Sequence, residues 1–218
     1  MGRILVFLLI VVLAACLGWP PAGIPVARCA EPSPETLVLT YDWLFETNQA
    51  SNSGAYMLRV GAGCDVNGDG YEDAVVGRRD HDYQYAGDDN GRAWLFYGSA
   101  SGLSTTPARV FDPPYVNPSG FFGAAVTCDL DVNSDGFDDI LIGMDNYEAD
   151  NADEGAVFVW YGSATGPAQP YDWMARGYLT YMHFGVGLDS AGRVNGDGYD
   201  DIIVAGWNYD AQETMAFV

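Results

Sequence analysis

Hydrophobic positions in this chain form short runs separated by polar stretches rich in glycine. Three of these runs, at residues 74–77, 140–143 and 202–206, are rich in β-branched side chains and end in glycine. They are too short for helices, so they predict buried β-strands. Further strands are predicted at 91–99 and 155–163, and a fourth strand of the first unit at 108–111.

The strands belong to an internal repeat. Asn67, Asn133 and Asn195 occupy the same place in three similar segments and lie 66 and 62 residues apart. An aromatic residue opens each segment, a polar loop follows, and a strand follows the loop. Units of four short antiparallel strands at about this period are typical of β-propeller blades. We therefore predict an all-β propeller with two full blades and part of a third, with repeats at about 56–115, 122–180 and 184–218.

The polar loops have the spacing D-x-N-x-D-G-x-x-D, which places oxygen side chains at positions 1, 3, 5 and 9 and a backbone carbonyl at position 7. Such a segment can surround one hard cation with oxygen ligands, and mixed carboxylate and carbonyl ligands favour calcium over magnesium. Asn, Asp and Gly also form simple turns, but two complete copies at matched offsets favour calcium over that alternative. The predicted ligands are Asp65, Asn67, Asp69, the carbonyl of Tyr71 and Asp73 in the first loop, and Asp131, Asn133, Asp135, the carbonyl of Phe137 and Asp139 in the second.

The third loop departs from this pattern because Arg193 stands at its first position. Its remaining candidate ligands are Asn195, Asp197, the carbonyl of Tyr199 and Asp201. One hypothesis is that the guanidinium replaces the ion by pairing with Asp197 or Asp201. The alternative is that Arg193 points to solvent and the loop binds calcium weakly or not at all.

Phe122-Gly123 and Phe184-Gly185, each followed by the loop and by a strand ending in glycine, resemble the FG-GAP repeats of integrin α chains and related bacterial propellers. Tyr56-Met57 stands where the first Phe-Gly is expected. The family usually closes a ring of seven blades, so we expect the chain either to be a fragment or to assemble with copies of itself. The resemblance implies an extracellular recognition or adhesion scaffold whose partner, a protein or a carbohydrate, binds loops on the face opposite the calcium loops.

Thirty acidic residues against nine basic ones give a net charge of -21, which excludes nucleic acid and anionic lipid surfaces as probable partners. The chain has two histidines, His81 and His183, and the sequence shows no nucleophile–base or metal–histidine constellation. We therefore predict that it is not an enzyme. The alternative is an accessory or catalytic propeller of a secreted hydrolase or polysaccharide-degrading enzyme, because this repeat also accompanies such enzymes.

The first residues resemble an export signal. Residues 4–15 form an apolar run behind Arg3, too short for a membrane span. Residues 13–16 resemble a lipobox that would attach lipid to Cys16, and the alternative is a signal peptide that is simply cleaved before Glu31. We therefore assign 1–30 to targeting and 31–218 to the propeller, and expect an extracellular or cell-envelope location. Cys64 and Cys128, each in a predicted inner strand, are predicted to be buried thiols and not a bridge.

Overall fold

The computed structural model describes residues 43–47, 58–82 and 87–218. These residues form strands and turns and contain no helix, and therefore no helix that could cross a membrane. The proposed targeting segment, the Cys16 lipid site and the opening Tyr56-Met57 lie outside the described residues. The strands are β1 Leu58–Cys64, β2 Asp73–Arg78, β3 Arg92–Phe96, β4 Arg109–Phe111, β5 Phe122–Thr127, β6 Ile140–Met144, β7 Ala156–Trp160, β8 Trp173–Arg176, β9 Gly187–Gly192, β10 Asp201–Asn208 and β11 Glu213–Phe217.

The strands form three antiparallel sheets that follow the order of the chain. Sheet 1 contains β1 to β4, sheet 2 contains β5 to β8, and sheet 3 contains β9 to β11. Every strand pairs with its neighbour in sequence, as consecutive hairpins do. The predicted all-β fold with four-stranded blades and a partial third blade is confirmed, and the described residues do not close a ring.

Side-chain alternation along the strands builds one apolar core between each pair of sheets. Val75 of β2 and Ile142 of β6 lie in the core between sheets 1 and 2, together with Phe122 and Phe158. Leu141, the neighbour of Ile142, lies instead in the core between sheets 2 and 3. Because successive residues of a strand point to opposite faces, a central blade is apolar on both faces, which explains its continuous hydrophobic runs.

The outer face of sheet 1 is covered by the segment 43–47. Trp43 and Phe45 pack against Trp94 and Phe96 of β3, with ring centroids 4.8–5.2 Å apart for three of the pairs. Residues 43–47 do not form a strand, and they cover this face through their side chains alone.

Glycines set the distance between the sheets. A Cβ atom on Gly77 of β2 would lie 2.7 Å from the carbonyl oxygen of Gly123, and one on Gly143 of β6 would overlap the carbonyl oxygen of Gly185. Gly123 and Gly185 are the glycines of the two Phe-Gly pairs. The pair therefore marks the point where the backbone of one blade touches the central strand of the preceding blade.

The prediction of two separate thiols is wrong, because Cys64 and Cys128 form a disulfide that joins β1 to the end of β5. Their Cα atoms are 5.5 Å apart and both residues are fully buried. The first strands of adjacent sheets are neighbours, and the register of β1 shifts between Ala62 and Cys64. This bulge turns Cys64 toward sheet 2, a change of direction that strict strand alternation does not anticipate.

Candidate metal centre

The three predicted loops connect the first and second strands of their sheets and therefore lie at the same end of each sheet. The glycine at position 6 of each loop has a positive φ, 86° at Gly70, 89° at Gly136 and 97° at Gly198. Glycine adopts this backbone conformation without steric cost, so its place in the motif follows from the turn itself. Position 4 is also left-handed in all three loops, and in the second loop this position is occupied by Ser134.

Hydrogen bonds within the first loop gather its side chains around the turn. Asp65 accepts hydrogen bonds from the backbone N–H groups of Asp69, at 3.0 Å, and Gly70, at 2.8 Å. Asn67 accepts from the N–H of Asp69 and donates through Nδ2 to the Asp69 carboxylate. The structure thus brings together the predicted side chains of positions 1, 3 and 5.

The second loop repeats this arrangement bond for bond. Asp131 accepts from the N–H groups of Asp135, at 3.1 Å, and Gly136, at 2.9 Å. Asn133 accepts from the N–H of Asp135 and donates to its carboxylate at 2.9 Å. Matching distances in two blades show that the repeated spacing specifies one loop geometry.

The aspartate at position 9 is the buried member of each of these two loops. Asp73 accepts from the N–H groups of Val66 and Gly98, and Asp139 accepts from those of Val132 and Gly162. Burial raises the pKa of Asp73 to about 6 and that of Asp139 to about 7, and the carboxylates at positions 1 and 5 add to both shifts. Desolvation of the position-9 carboxyl group therefore outweighs the two hydrogen bonds that it accepts.

The donor set of the first two loops fits a hard cation: each offers three carboxylates, one amide oxygen and one backbone carbonyl, all oxygen. Among the residues that the structure describes, no three His, Cys, Asp or Glu side chains lie close enough together to coordinate one metal ion. Hydrogen bonds from the backbone hold the carboxylates instead. To bind a cation, each loop would have to bring these oxygens closer together, at a turn where they are already neighbours.

In the third loop Arg193 forms an ion pair, but with neither predicted partner. Its Nε atom donates to Asp200 at 3.0 Å, one residue before the predicted Asp201. Asp201 instead accepts from the N–H of Val194 and from the Asn195 side chain. The two N–H bonds that Asp65 and Asp131 accept have no counterpart here, because arginine is not an acceptor.

The loops are also bonded to one another across the blades. The N–H of Asp65 donates to the Asp138 carboxylate at 2.7 Å, and the N–H of Asp131 donates to the Asp200 carboxylate at 3.0 Å. The backbone N–H of each acceptor residue returns a bond to the carbonyl of its partner, at 3.3 and 3.2 Å. Sequence analysis did not single out Asp138 or Asp200, because position 8 is not a ligand position.

The pKa values of these two carboxyl groups shift in opposite directions. Burial, followed by the charges of Asp65, Asp131 and Asp129, raises the pKa of Asp138. The hydrogen bond from the Asp131 backbone, together with Arg193, lowers the pKa of Asp200. The difference follows first from the deeper burial of Asp138 and then from the neighbouring charges, since acids surround Asp138 whereas Asp200 has a cationic partner.

At the opposite end of the sheets, loops from different blades join into a second surface. Tyr181 donates its N–H to Ala152, and Tyr209 donates to Tyr181. Trp207, Tyr209 and Tyr178 are 42%, 57% and 63% exposed. Tyr147 differs from them because it packs against the core beside Phe158.

Both histidines have structural surroundings. His81 is buried against Trp94 with ring centroids 5.1 Å apart, and burial together with Arg92 and Arg78 lowers its pKa to about 4. His183 lies within hydrogen-bond distance of Asn146, at 2.9 Å, and stacks on Trp207. Nδ1 of His183 also lies 3.2 Å from the backbone carbonyl of Asp145.

Comparison with known proteins agrees with this architecture. The chain is 30% identical to integrin alpha-PS3 of Drosophila melanogaster over 67% of its own length, and 29% identical to integrin alpha-PS2 of the same organism over 91%. It is 32% identical to the phosphatidylinositol-glycan-specific phospholipase D of Bos taurus over 72% of its length. It spans only 13%, 14% and 20% of these three relatives. No protein-family model matches the chain.

Consecutive antiparallel sheets, glycine contacts between them and one acidic loop per sheet define a repeat protein of the β-propeller class. The chain is a homologue of integrin α chains and belongs with them to the FG-GAP family.

Proposed function

We propose that this chain is the recognition part of an exported, adhesion-type β-propeller, that calcium bound in its first two loops stabilises it, and that it does not catalyse a reaction. The observation that carries the calcium proposal is the bond-for-bond match between two loops with the same oxygen donors. The integrin α relatives support the adhesion role and an extracellular or cell-envelope location.

Calcium would be held by Asp65, Asn67, Asp69 and the carbonyl of Tyr71 in the first loop and by the corresponding residues of the second, with Asp73 and Asp139 completing each set. Its contribution is charge balance for carboxylates that crowd one turn. An extracellular site with a dissociation constant of about 10⁻⁴ M, in about 1 mM calcium, adds on the order of 1.4 kcal/mol to stability. Two such sites add about 3 kcal/mol, a large fraction of a typical domain's stability.

Thermal unfolding with and without chelator tests this proposal. We expect the melting temperature to rise in 1 mM calcium and to rise less in the same concentration of magnesium. Asp65→Ala and Asp131→Ala should each remove part of the rise, and the doubly substituted protein all of it. An unchanged midpoint in calcium would contradict the proposal.

The third loop is proposed to bind calcium weakly or not at all, since Arg193 occupies the first ligand position and pairs with Asp200. Counting bound ions in the wild type and in the Arg193→Asp variant separates the possibilities. We expect two ions in the wild type and three in the variant. A count of two in both proteins would show that more than the first ligand is missing.

Partner binding is proposed for the surface that carries Tyr178, Trp207 and Tyr209, because large rings left exposed together are typical of recognition sites. A glycan array and a protein pull-down with the purified chain would distinguish the two partner classes. Trp207→Ala should weaken the interaction found. Val110→Ala, at an exposed apolar position on the outer strand β4, is the control and should not. Equal binding by both variants would show that the partner binds another surface of the chain.

A second candidate is a propeller that accompanies or performs hydrolysis, and the observation that favours it is the similarity to phosphatidylinositol-glycan-specific phospholipase D. The two candidates differ in a simple measurement. A scaffold binds its partner without turnover, whereas a hydrolase releases product from a polysaccharide or a phospholipid. If the purified chain turned over such a substrate, and a substitution within the chain abolished that turnover, the second candidate would replace the first.

A further inference from the structure

Position 8 of each loop carries a carboxylate that does not belong to the ligand set of its own loop. These residues are Glu72, Asp138 and Asp200. Asp138 and Asp200 are half-buried and reach into the preceding blade, whereas Glu72 is exposed and accepts no hydrogen bond from a preceding loop within the described residues. Among the described residues, position 8 therefore bonds to a preceding loop only in the second and third blades.

The point of contact is the first ligand residue of the preceding loop. Asp138 accepts the N–H of Asp65 at 2.7 Å, and Asp200 accepts that of Asp131 at 3.0 Å. In each pair the backbone N–H of the position-8 residue also donates to the carbonyl of the first ligand residue. Two hydrogen bonds therefore hold the backbone of that ligand residue. Position 8 is covalently next to the position-9 ligand of its own loop. The Asp138–Asp139 peptide unit therefore links the proposed calcium site of the second loop to a carboxylate that is hydrogen-bonded to the first ligand of the first loop.

Arg193 completes this arrangement in the third blade. It stands where calcium's first ligand would be, and its Nε atom holds Oδ1 of Asp200 at 3.0 Å while Oδ2 of the same carboxylate accepts the Asp131 N–H. Asp200 is therefore held from both sides without an ion. Asp138 has acidic neighbours in place of an arginine, and a cation bound in its own loop would balance part of their charge.

We propose that Asp138 and Asp200 are clamps that couple each of the first two calcium loops to the loop of the following blade, and that Arg193 acts as a built-in cation that holds the Asp200 clamp in place without calcium. The inference rests on the proposed calcium sites. It gives the sites an order: the second loop is pre-organised by the third blade and binds calcium first. The first loop then gains affinity because calcium in the second loop fixes Asp139 and, through it, Asp138.

Amide hydrogen exchange of the calcium-free protein tests the clamps without any bound ion. A hydrogen bond to a carboxylate contributes enough to slow exchange about tenfold. We expect Asp200→Ala to speed exchange at the Asp131 amide by about that factor, and Asp138→Ala to do the same at the Asp65 amide. Glu72→Ala, which removes the same charge at the same loop position, should change neither. Unchanged exchange in both clamp variants would overturn the proposal.

Arg193→Met tests the built-in cation. It should speed exchange at the Asp131 amide by about two- to fivefold, because a partly exposed ion pair contributes less than the hydrogen bond it supports. Arg193→Lys should restore part of the protection, since it keeps the charge but not the guanidinium geometry. Asp200→Asn keeps an acceptor oxygen but removes the charge that pairs with Arg193, so it should speed exchange at the Asp131 amide about as much as Arg193→Met does, and it tests the pair if Asp200→Ala does not fold. Unchanged exchange in Arg193→Met would refute the role of Arg193.

Calcium titration by calorimetry tests the coupling, with Asp65→Ala and Asp131→Ala assigning the two sites. We expect Asp138→Ala to lower affinity about tenfold at the first loop only, and Asp200→Ala to lower it at both loops. Two normal sites in both clamp variants, as in Glu72→Ala, would overturn the coupling while leaving the calcium proposal intact. Absence of calcium binding in the wild type would overturn the calcium proposal and the coupling together, and the amide exchange would still decide whether the clamps exist.

Discussion

Replacing both Cys64 and Cys128 by alanine should destabilise the protein by about 4 kcal/mol. The disulfide joins residues 64 positions apart in sequence, and closing a loop of that size removes about 4 kcal/mol of conformational entropy from the unfolded chain. In a protein of this size each kcal/mol shifts the melting temperature by about 2–4 °C. The double variant should therefore melt about 10 °C below the oxidised wild type.

Urea unfolding, followed by fluorescence of the tryptophans, measures this difference. The single variants Cys64→Ala and Cys128→Ala should lose nearly the same free energy as the double variant, because either change breaks the bridge. Wild type in excess reductant should unfold at the midpoint of the double variant. Equal midpoints for oxidised wild type and double variant would refute the reasoning. Labelling of Cys64 and Cys128 by a thiol reagent in unfolded, unreduced protein would also refute it.

Two further predictions concern packing and pH. Gly143→Ala should lower the free energy of unfolding in urea by about 1–3 kcal/mol, because its Cβ would overlap the Gly185 carbonyl. Gly187→Ala is the control and should lower it much less, because its Cβ would have its nearest contact at 3.5 Å. Equal losses of stability in the two variants would contradict the argument that glycines set the distance between sheets. The His81 pKa is lowered to about 4 on folding, so its contribution to stability is present above pH 6.5 and is lost as pH falls toward 4, by about 3 kcal/mol in full. His81→Gln should be less sensitive to pH over that range, and an unchanged pH profile would contradict this.

The strands and loops could be predicted from sequence because their signals are local. Short β-branched runs, glycine boundaries and the D-x-N-x-D-G spacing act within about ten residues, and the structure places Gly70 and Gly136 in the left-handed turns that the motif requires. The fold class followed from repeating these signals three times.

Contacts between blades could not be predicted in the same way. Cys64 lies one residue before its loop and Cys128 three residues before its own, so their alignment depends on the irregular registers of β1 and β5. The export prediction, with two cysteines in adjacent inner strands, was the signal that favoured a bridge. Similarly, the partner of Arg193 could not be read from its own loop, because Asp200 is positioned by the preceding blade.

The strong negative charge of the chain acquires a specific meaning from these contacts. If the acids were only a solubilising coat, they would be exposed and interchangeable. Instead Asp73 and Asp139 are buried on backbone amides, and Asp138 and Asp200 bond to the neighbouring blade. Such carboxylates hold the turns in place but repel one another at the same end of the sheets. The array therefore needs positive charge at that end, which Arg193 supplies in the third blade and calcium is proposed to supply in the first two.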